Sequence, residues 1–208
     1  MGLLLQPLKR VSQMKKMNLK KSSIVFLFAA VLGAAGLWSS VQSPVELLPA
    51  AQASGSYSLT GRVVRVSDGD TINLLVEKKQ ERIRLASIDA PETAHGSDRP
   101  GQPFGEASRK NLAQQVAGKT LTLTCFEKDR YDRHICDIPL DGTTANRLQV
   151  EQGMAWANQQ AKGKYLRDKS LPELEKAARQ KKLGLWSEPG AVSPWQWRVV
   201  CWKDKKCS

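Results

Sequence analysis

Histidine is nearly missing from this chain: its 208 residues include two, His95 and His134, alongside four cysteines and an aromatic share of only 6%. No Cys-x-x-Cys pair and no Cys/His ligand spacing occurs, which argues against a structural zinc site. Both histidines fall in loop or turn contexts without a nucleophile motif beside them, so serine and cysteine hydrolase chemistry is disfavoured. The apolar run Ile24 to Trp38 is fifteen residues, short for a membrane span. There is no internal repeat and no low-complexity tract, and the length suits one well-buried domain with extensions rather than two domains.

What is abundant is positive charge. Lys and Arg number 32 against 20 acidic residues, a formal net charge of +12. Residues 1–53 hold six of those basic residues and a single acid, Glu46, so the remainder still carries an excess of +7. Such an excess favours polyanionic partners, whether nucleic acid or an acidic membrane surface, and serves solubility equally well. The N-terminal basic stretch ends at Lys20-Lys21 and leads into the short apolar run, the pattern of a secretory signal. Residues 1–53 are therefore read as signal peptide and linker, and export as the default. Ala51-Gln52-Ala53 before Ser54 fits a small-x-small cleavage site, with Ala34-Ala35-Gly36 as an alternative nearer the apolar run. An uncleaved segment would instead anchor the protein to a membrane.

All four cysteines follow this signal, and an even number in an exported chain suggests two disulfides. Three pairings are formally open. Cys125 and Cys136 lie symmetrically about the Arg130-Tyr131 midpoint, so a regular hairpin would bring them opposite each other, and Cys201 with Cys207 would close a small tail loop.

Period-2 alternation predicts strands over about 57–67, 71–77 and 81–88, then 120–126 and 134–139. Residues 93–103 read as a polar loop. Helical spacing appears over 105–116, 145–152 and 166–182, the last stopped by Gly184. Five strands with an interposed helix and helices at the end, an α+β pattern with about three helices, suit a five-stranded Greek-key barrel of the OB type. Residues 54–187 form the expected domain, and 188–208 a basic tail with three tryptophans. Those indoles could stack nucleobases or simply pack the tail onto the domain.

Chemistry concentrates at Asp68-Gly69-Asp70-Thr71 and, fourteen residues on from Asp70, at Arg84 to Glu92. An Asp-Gly-Asp alone reads as a hairpin turn with Gly supplying positive φ. With Arg84, Asp89 and Glu92 in this order it sets carboxylates and a guanidinium at the ends of two strands. That is the composition needed to hold a hard divalent cation against a phosphate.

This combination resembles the staphylococcal nuclease family. Further segments agree: Thr93-Ala94-His95, Phe104 to Ser108, Asp129-Arg130-Tyr131-Asp132-Arg133 with Asp132 where Gly is usual, Asn146 to Trp156, and Leu174 to Trp186. The resemblance spans about 59–186 and implies the OB-type fold and a Ca2+-dependent phosphodiesterase acting on DNA and RNA, leaving 3′-phosphate ends. It implies Asp70, Asp89 and the Ala90 carbonyl as metal ligands and Asp68 behind them or acting through water. Glu92 would orient or deprotonate the attacking water, and Arg84 and Arg133 would bind phosphate, with Arg130 and Tyr131 as further substrate contacts. A tyrosine pair expected a few residues after Ala155 is replaced by Gln159 and Ala161; Tyr165 could serve only if the loop runs differently. No stable protein partner is implied, and a monomer is expected. The rival reading is a non-catalytic nucleic-acid-binding module on the same fold.

Overall fold

The barrel follows from alternation. In the computed structural model, which describes residues 55–207, β1 (Tyr57–Asp68), β2 (Thr71–Val76) and β3 (Lys79–Leu85) are consecutive antiparallel strands. Ile72, Leu74, Ile83 and Leu85 all point inward and are at most 1% exposed. The signal and its cleavage region lie outside the described residues. β1 is bent by register shifts at Val63/Arg65 and Val66/Asp68, which let one strand serve two neighbours. A two-residue β4 (Ile88–Asp89) follows, then α1 (Gly105–Val116), β5 (Thr120–Lys128) and β6 (His134–Asp137).

The sheet closes in the order β1-β2-β3-β6-β5, with β3 and β6 parallel and the other pairs antiparallel. This is the expected five-stranded Greek-key barrel. A small hairpin of β7 (Pro139–Leu140) and β8 (Thr143–Thr144) leads into α2 (Ala145–Glu151), whose N-terminus is capped by Thr144 Oγ1 accepting from Arg147 N. β9 (Trp156–Ala157) pairs with β4, so Asp89 sits opposite Trp156.

α1 and α2 seal the barrel: Ser108, Leu112 and Val116 form one buried stripe of α1, and Ala145, Asn146, Gln149 and Val150 are buried on α2. A one-turn α3 (Gln160–Gly163) contains left-handed Ala161 and Lys162. The expected helix over 166–182 is shorter than its periodicity suggested, since α4 spans Leu171–Gln180. Asp168 Oδ1 accepts from Ser170 N (2.9 Å) and Ser170 Oγ (2.7 Å), a local turn that competes with helix, and Pro172 suits only the first helical turn.

The tail does not stand apart. α5 (Pro194–Trp197) and a π-helical turn over Arg198–Lys203 lie against the 98–102 loop, with the Trp197 and Trp202 indoles donating to Pro100 O. Cys125–Cys136 and Cys201–Cys207 are both disulfides. Cys125 and Cys136 are register partners, but the hairpin above them is not regular: Glu127 faces Ile135, so Phe126 is an extra, bulged residue.

Candidate active site

Two backbone devices bring the acidic turn to the barrel end. Leu85 N donates to Asp70 O (2.8 Å), and Gln149 Nε2, from α2, donates to Gly69 O (2.6 Å). Gly69 is not required for a positive φ, contrary to the simple hairpin expectation. It is required for space: a Cβ there would stand 1.9 Å from Ser108 Oγ and 2.8 Å from Ala90 Cβ. The turn is thus wedged between α1 and the segment after β4. Gly105 plays the same part for Glu92, since a Cβ at Gly105 would meet Glu92 O at 2.2 Å.

Within that frame the side chains converge on one cleft of about 670 Å³. Asp70 Oδ1 accepts from Thr71 Oγ1 (2.9 Å), and Oδ2 accepts from Ala90 N (2.7 Å), which sets the Ala90 backbone beside the carboxylate. The Arg84 fork bridges Asp70 and Asp89, reaching Asp89 Oδ1 at 2.7 Å. Asp89 is 1% exposed, and Gln160 Nε2 approaches its Oδ2 at 3.3 Å. Asp68 accepts from Gly69 N (2.8 Å) and, with Glu92 and His95, offers ligand atoms all within 4.8 Å of one another.

The electrostatics are those of crowded, half-dry acids. Burial, then the Glu92 charge, pushes Asp68 up to about 7. Burial also raises Glu92, against the pull of a nearby arginine. Burial lowers Arg84, partly offset by Asp89.

Arg133 reaches the cleft from the hairpin between β5 and β6. Its Nε (2.8 Å) and Nη2 (2.7 Å) bind Asp129 Oδ2, while Asp129 Oδ1 accepts from the backbone N of Tyr131 and of Arg133. Asp129 is therefore both the cap of the turn and the holder of Arg133. Asp132 has φ +58°, a conformation Asp tolerates and Gly takes freely, which accounts for this substitution physically. Arg130 and Arg133 lie over the Tyr131 ring at 4.8 and 5.5 Å, and Tyr131 is 56% exposed. Gln159 to Gly163 turn through left-handed residues, and exposed Tyr165 lines an adjoining recess that also touches Arg84, Tyr131 and Arg133.

Two residues in this site were not anticipated. His95 belongs by sequence only to the polar loop, yet it stands beside Asp68 and Glu92. Arg198, from the tail, sends its fork to Asp89 (Nη2 to Oδ2 2.8 Å, Nη1 to Oδ1 3.3 Å) and to Glu92 Oε1. Nothing in the local sequence marks it, apart from its place in a Trp-rich, Cys-closed segment.

Asp68, Asp70, Asp89 and Glu92 offer only carboxylate oxygens, with the His95 imidazole beside Asp68 and Glu92. Such a set, already balancing two guanidinium charges, fits a hard divalent cation. What the arrangement can do is hold a cation and an anionic oxygen cluster side by side, with Glu92, paired here to Arg198, as the carboxylate placed to handle a proton.

These features are those of a metal-assisted phosphodiesterase on an OB-type barrel. Residues 82–188 match the family described as staphylococcal nuclease homologue. An "Uncharacterized endonuclease" of Escherichia coli O157:H7 is 45% identical over 139 residues, covering 66% of this chain and 84% of that protein. A "Micrococcal nuclease" of Shigella flexneri is 42% identical over 147 residues, covering 66% and 79%. A "Staphylococcal-like nuclease CAN1" of Arabidopsis thaliana is 33% identical over 120 residues, or 58% of this chain and 34% of that one. The chain belongs to the staphylococcal nuclease homologue family and is a nuclease, a hydrolase with nucleic acid as substrate.

Proposed function

We propose that the protein is an exported, Ca2+-dependent endonuclease that hydrolyses DNA and RNA to 3′-phosphate ends. The observation that carries this reading is the convergence of four carboxylates with the Arg84 fork in one basic-rimmed cleft, Arg133 standing on its wall. A Ca2+ ion held by Asp70, Asp89 and the Ala90 carbonyl would neutralise phosphate charge and favour an ionised water.

The chain's own groups do the rest. Glu92, its pKa raised by burial, orients a water and takes its proton as the oxygen attacks phosphorus. Arg84 and Arg133 grip phosphate oxygens from two sides with planar forks, so their contacts strengthen as charge accumulates. The bond from phosphorus to the 5′ oxygen breaks, and that oxygen leaves with a proton from solvent. Arg130, Tyr131 and Tyr165 form a basic and aromatic rim for flanking nucleotides. Asp68 holds the acidic turn through Gly69 N.

A plasmid-degradation assay with Ca2+, and with chelator, tests the activity. End analysis of a labelled oligonucleotide tests the product, since a 3′-phosphate blocks polymerase extension until phosphatase treatment. Full hydrolysis in chelator would refute the metal assignment. The basic and apolar N-terminal sequence pattern supports the export part of this reading, and N-terminal sequencing of the mature protein tests it.

A further inference from the structure

Asp89 is saturated. Its Oδ1 accepts from Arg84 (2.7 Å) and Arg198 (3.3 Å), and its Oδ2 from Arg198 (2.8 Å) and Gln160 (3.3 Å). A cation can take an oxygen of Asp89 only where a donor yields. Arg84 is the poorer candidate to move, because its side chain is 13% exposed and its fork is shared with Asp70. Arg198 is 36% exposed, stands at the open side of the cleft and also covers Glu92.

The segment delivering Arg198 is built to hold it there. Trp202 Nε1 donates to Pro100 O (2.9 Å), Lys205 Nζ donates to Asp98 O (3.1 Å), and Arg99 stacks on Trp202 at 5.7 Å. The Cys201–Cys207 disulfide closes the same turn, with Cys201 fully buried. A guanidinium tethered this way is at high local concentration over two buried carboxylates.

We propose that Arg198 and a divalent cation compete for Asp89, so that Arg198, which also covers Glu92, is a positioning residue that sets how tightly the nuclease takes its metal. The inference rests on the metal-dependent reading above. While Arg198 is in place, Asp89 and Glu92 are balanced and held. When a cation takes Asp89, the guanidinium must withdraw, which frees Glu92 to orient water. Metal loading and activation of Glu92 are then one event.

The test is calorimetric titration of Ca2+ alone into the full protein and into Arg198→Gln, without nucleic acid. Removing one tethered cation from the ligand shell should tighten Ca2+ binding on the order of tenfold or more. Arg198→Lys keeps the stem and charge but loses the fork, so it should fall between the two and controls for lost packing. Equal or weaker Ca2+ affinity in Arg198→Gln overturns the inference, as does absence of binding in both proteins. If Arg198 served only to bind substrate phosphate, Ca2+ affinity would be unchanged while oligonucleotide affinity fell, and the inference would fail. Plasmid hydrolysis in the same buffers judges the nuclease reading separately: an active parent with unchanged Ca2+ affinity in the variant sinks this proposal alone.

Discussion

Replacing the Cys125–Cys136 bridge with two alanines should destabilise the barrel while leaving the chemistry nearly intact. The cysteines are register partners on β5 and β6, eleven residues apart in sequence, and both are fully buried among core residues. Closing a loop of roughly a dozen residues removes about 9–10 cal/mol/K from the unfolded chain, or about 2.8 kcal/mol at 25 °C. Loss of two buried sulfur atoms adds on the order of 1 kcal/mol for the space they leave. For a body of this size the sum corresponds to a melting-temperature fall of roughly 8–12 °C. Turnover at 25 °C should stay within about twofold of the parent, because Arg133 is held by Asp129 and the turn's own bonds, not by the bridge beneath. Scanning calorimetry and a steady-state assay on the double variant check both halves. A fall in melting temperature under about 2 °C would refute the stability argument, and lost turnover in a variant with native circular dichroism would refute the account of how Arg133 is held.

Three further outcomes are expected. Arg133→Lys should lower turnover about 100-fold with a smaller change in substrate affinity, because the lost fork acts mainly on charge that grows in the transition state; comparing kcat with oligonucleotide Kd decides it. Gly69→Ala should force the acidic turn away from Ser108 and Ala90, so Ca2+ binding and activity should fall together even where thermal melting shows a folded barrel. Asp137, raised to about 6 by burial and then by the Asp168 charge, holds its proton more tightly folded than unfolded. Its contribution is full below about 4 and fades as pH rises through about 6, so the melting temperature should decline across that window, and Asp137→Asn should flatten the decline. Asp168 runs the other way: bonded by Arg147 and lowered to about 2, it loses its contribution only as pH falls towards that value, so the two effects separate in a pH series.

Alternation made the barrel legible, because inward residues such as Ile72, Leu74 and Ile83 have no other way to leave water. The bounds of α1 were legible for a similar reason, with Gly105 and Gly118 flanking a single apolar stripe. The bulge at Phe126 was not, since a slip of one residue leaves the composition of both strands unchanged. Nor was the late start of α4, where the periodicity of 166–182 continued through a turn that Asp168 and Ser170 stabilise locally. In the site, Asp70, Arg84, Asp89 and Glu92 lie close in sequence and were read together. Arg198 meets its carboxylate partners 106 and 109 residues away, a separation over which sequence pattern carries no pairing information.

The distribution of stability and charge in this molecule follows one division of labour. The closed barrel, with no free edge among its five strands and a disulfide across β5 and β6, supplies a rigid apolar floor. On that floor the protein gathers carboxylates that burial makes reluctant to ionise, as at Asp68 and Glu92, and meets them with guanidinium groups rather than water. Such a cluster costs stability, since each buried charge must find a partner or a proton. The cost is what makes the site receptive: a polyvalent cation and a phosphodiester together satisfy both signs, carboxylates by the metal and arginines by the phosphate. An apolar replacement of the same residues would give a steadier barrel with no means of holding either ligand. The tail-borne Arg198 fits this logic as the partner the acids accept when nothing better is bound.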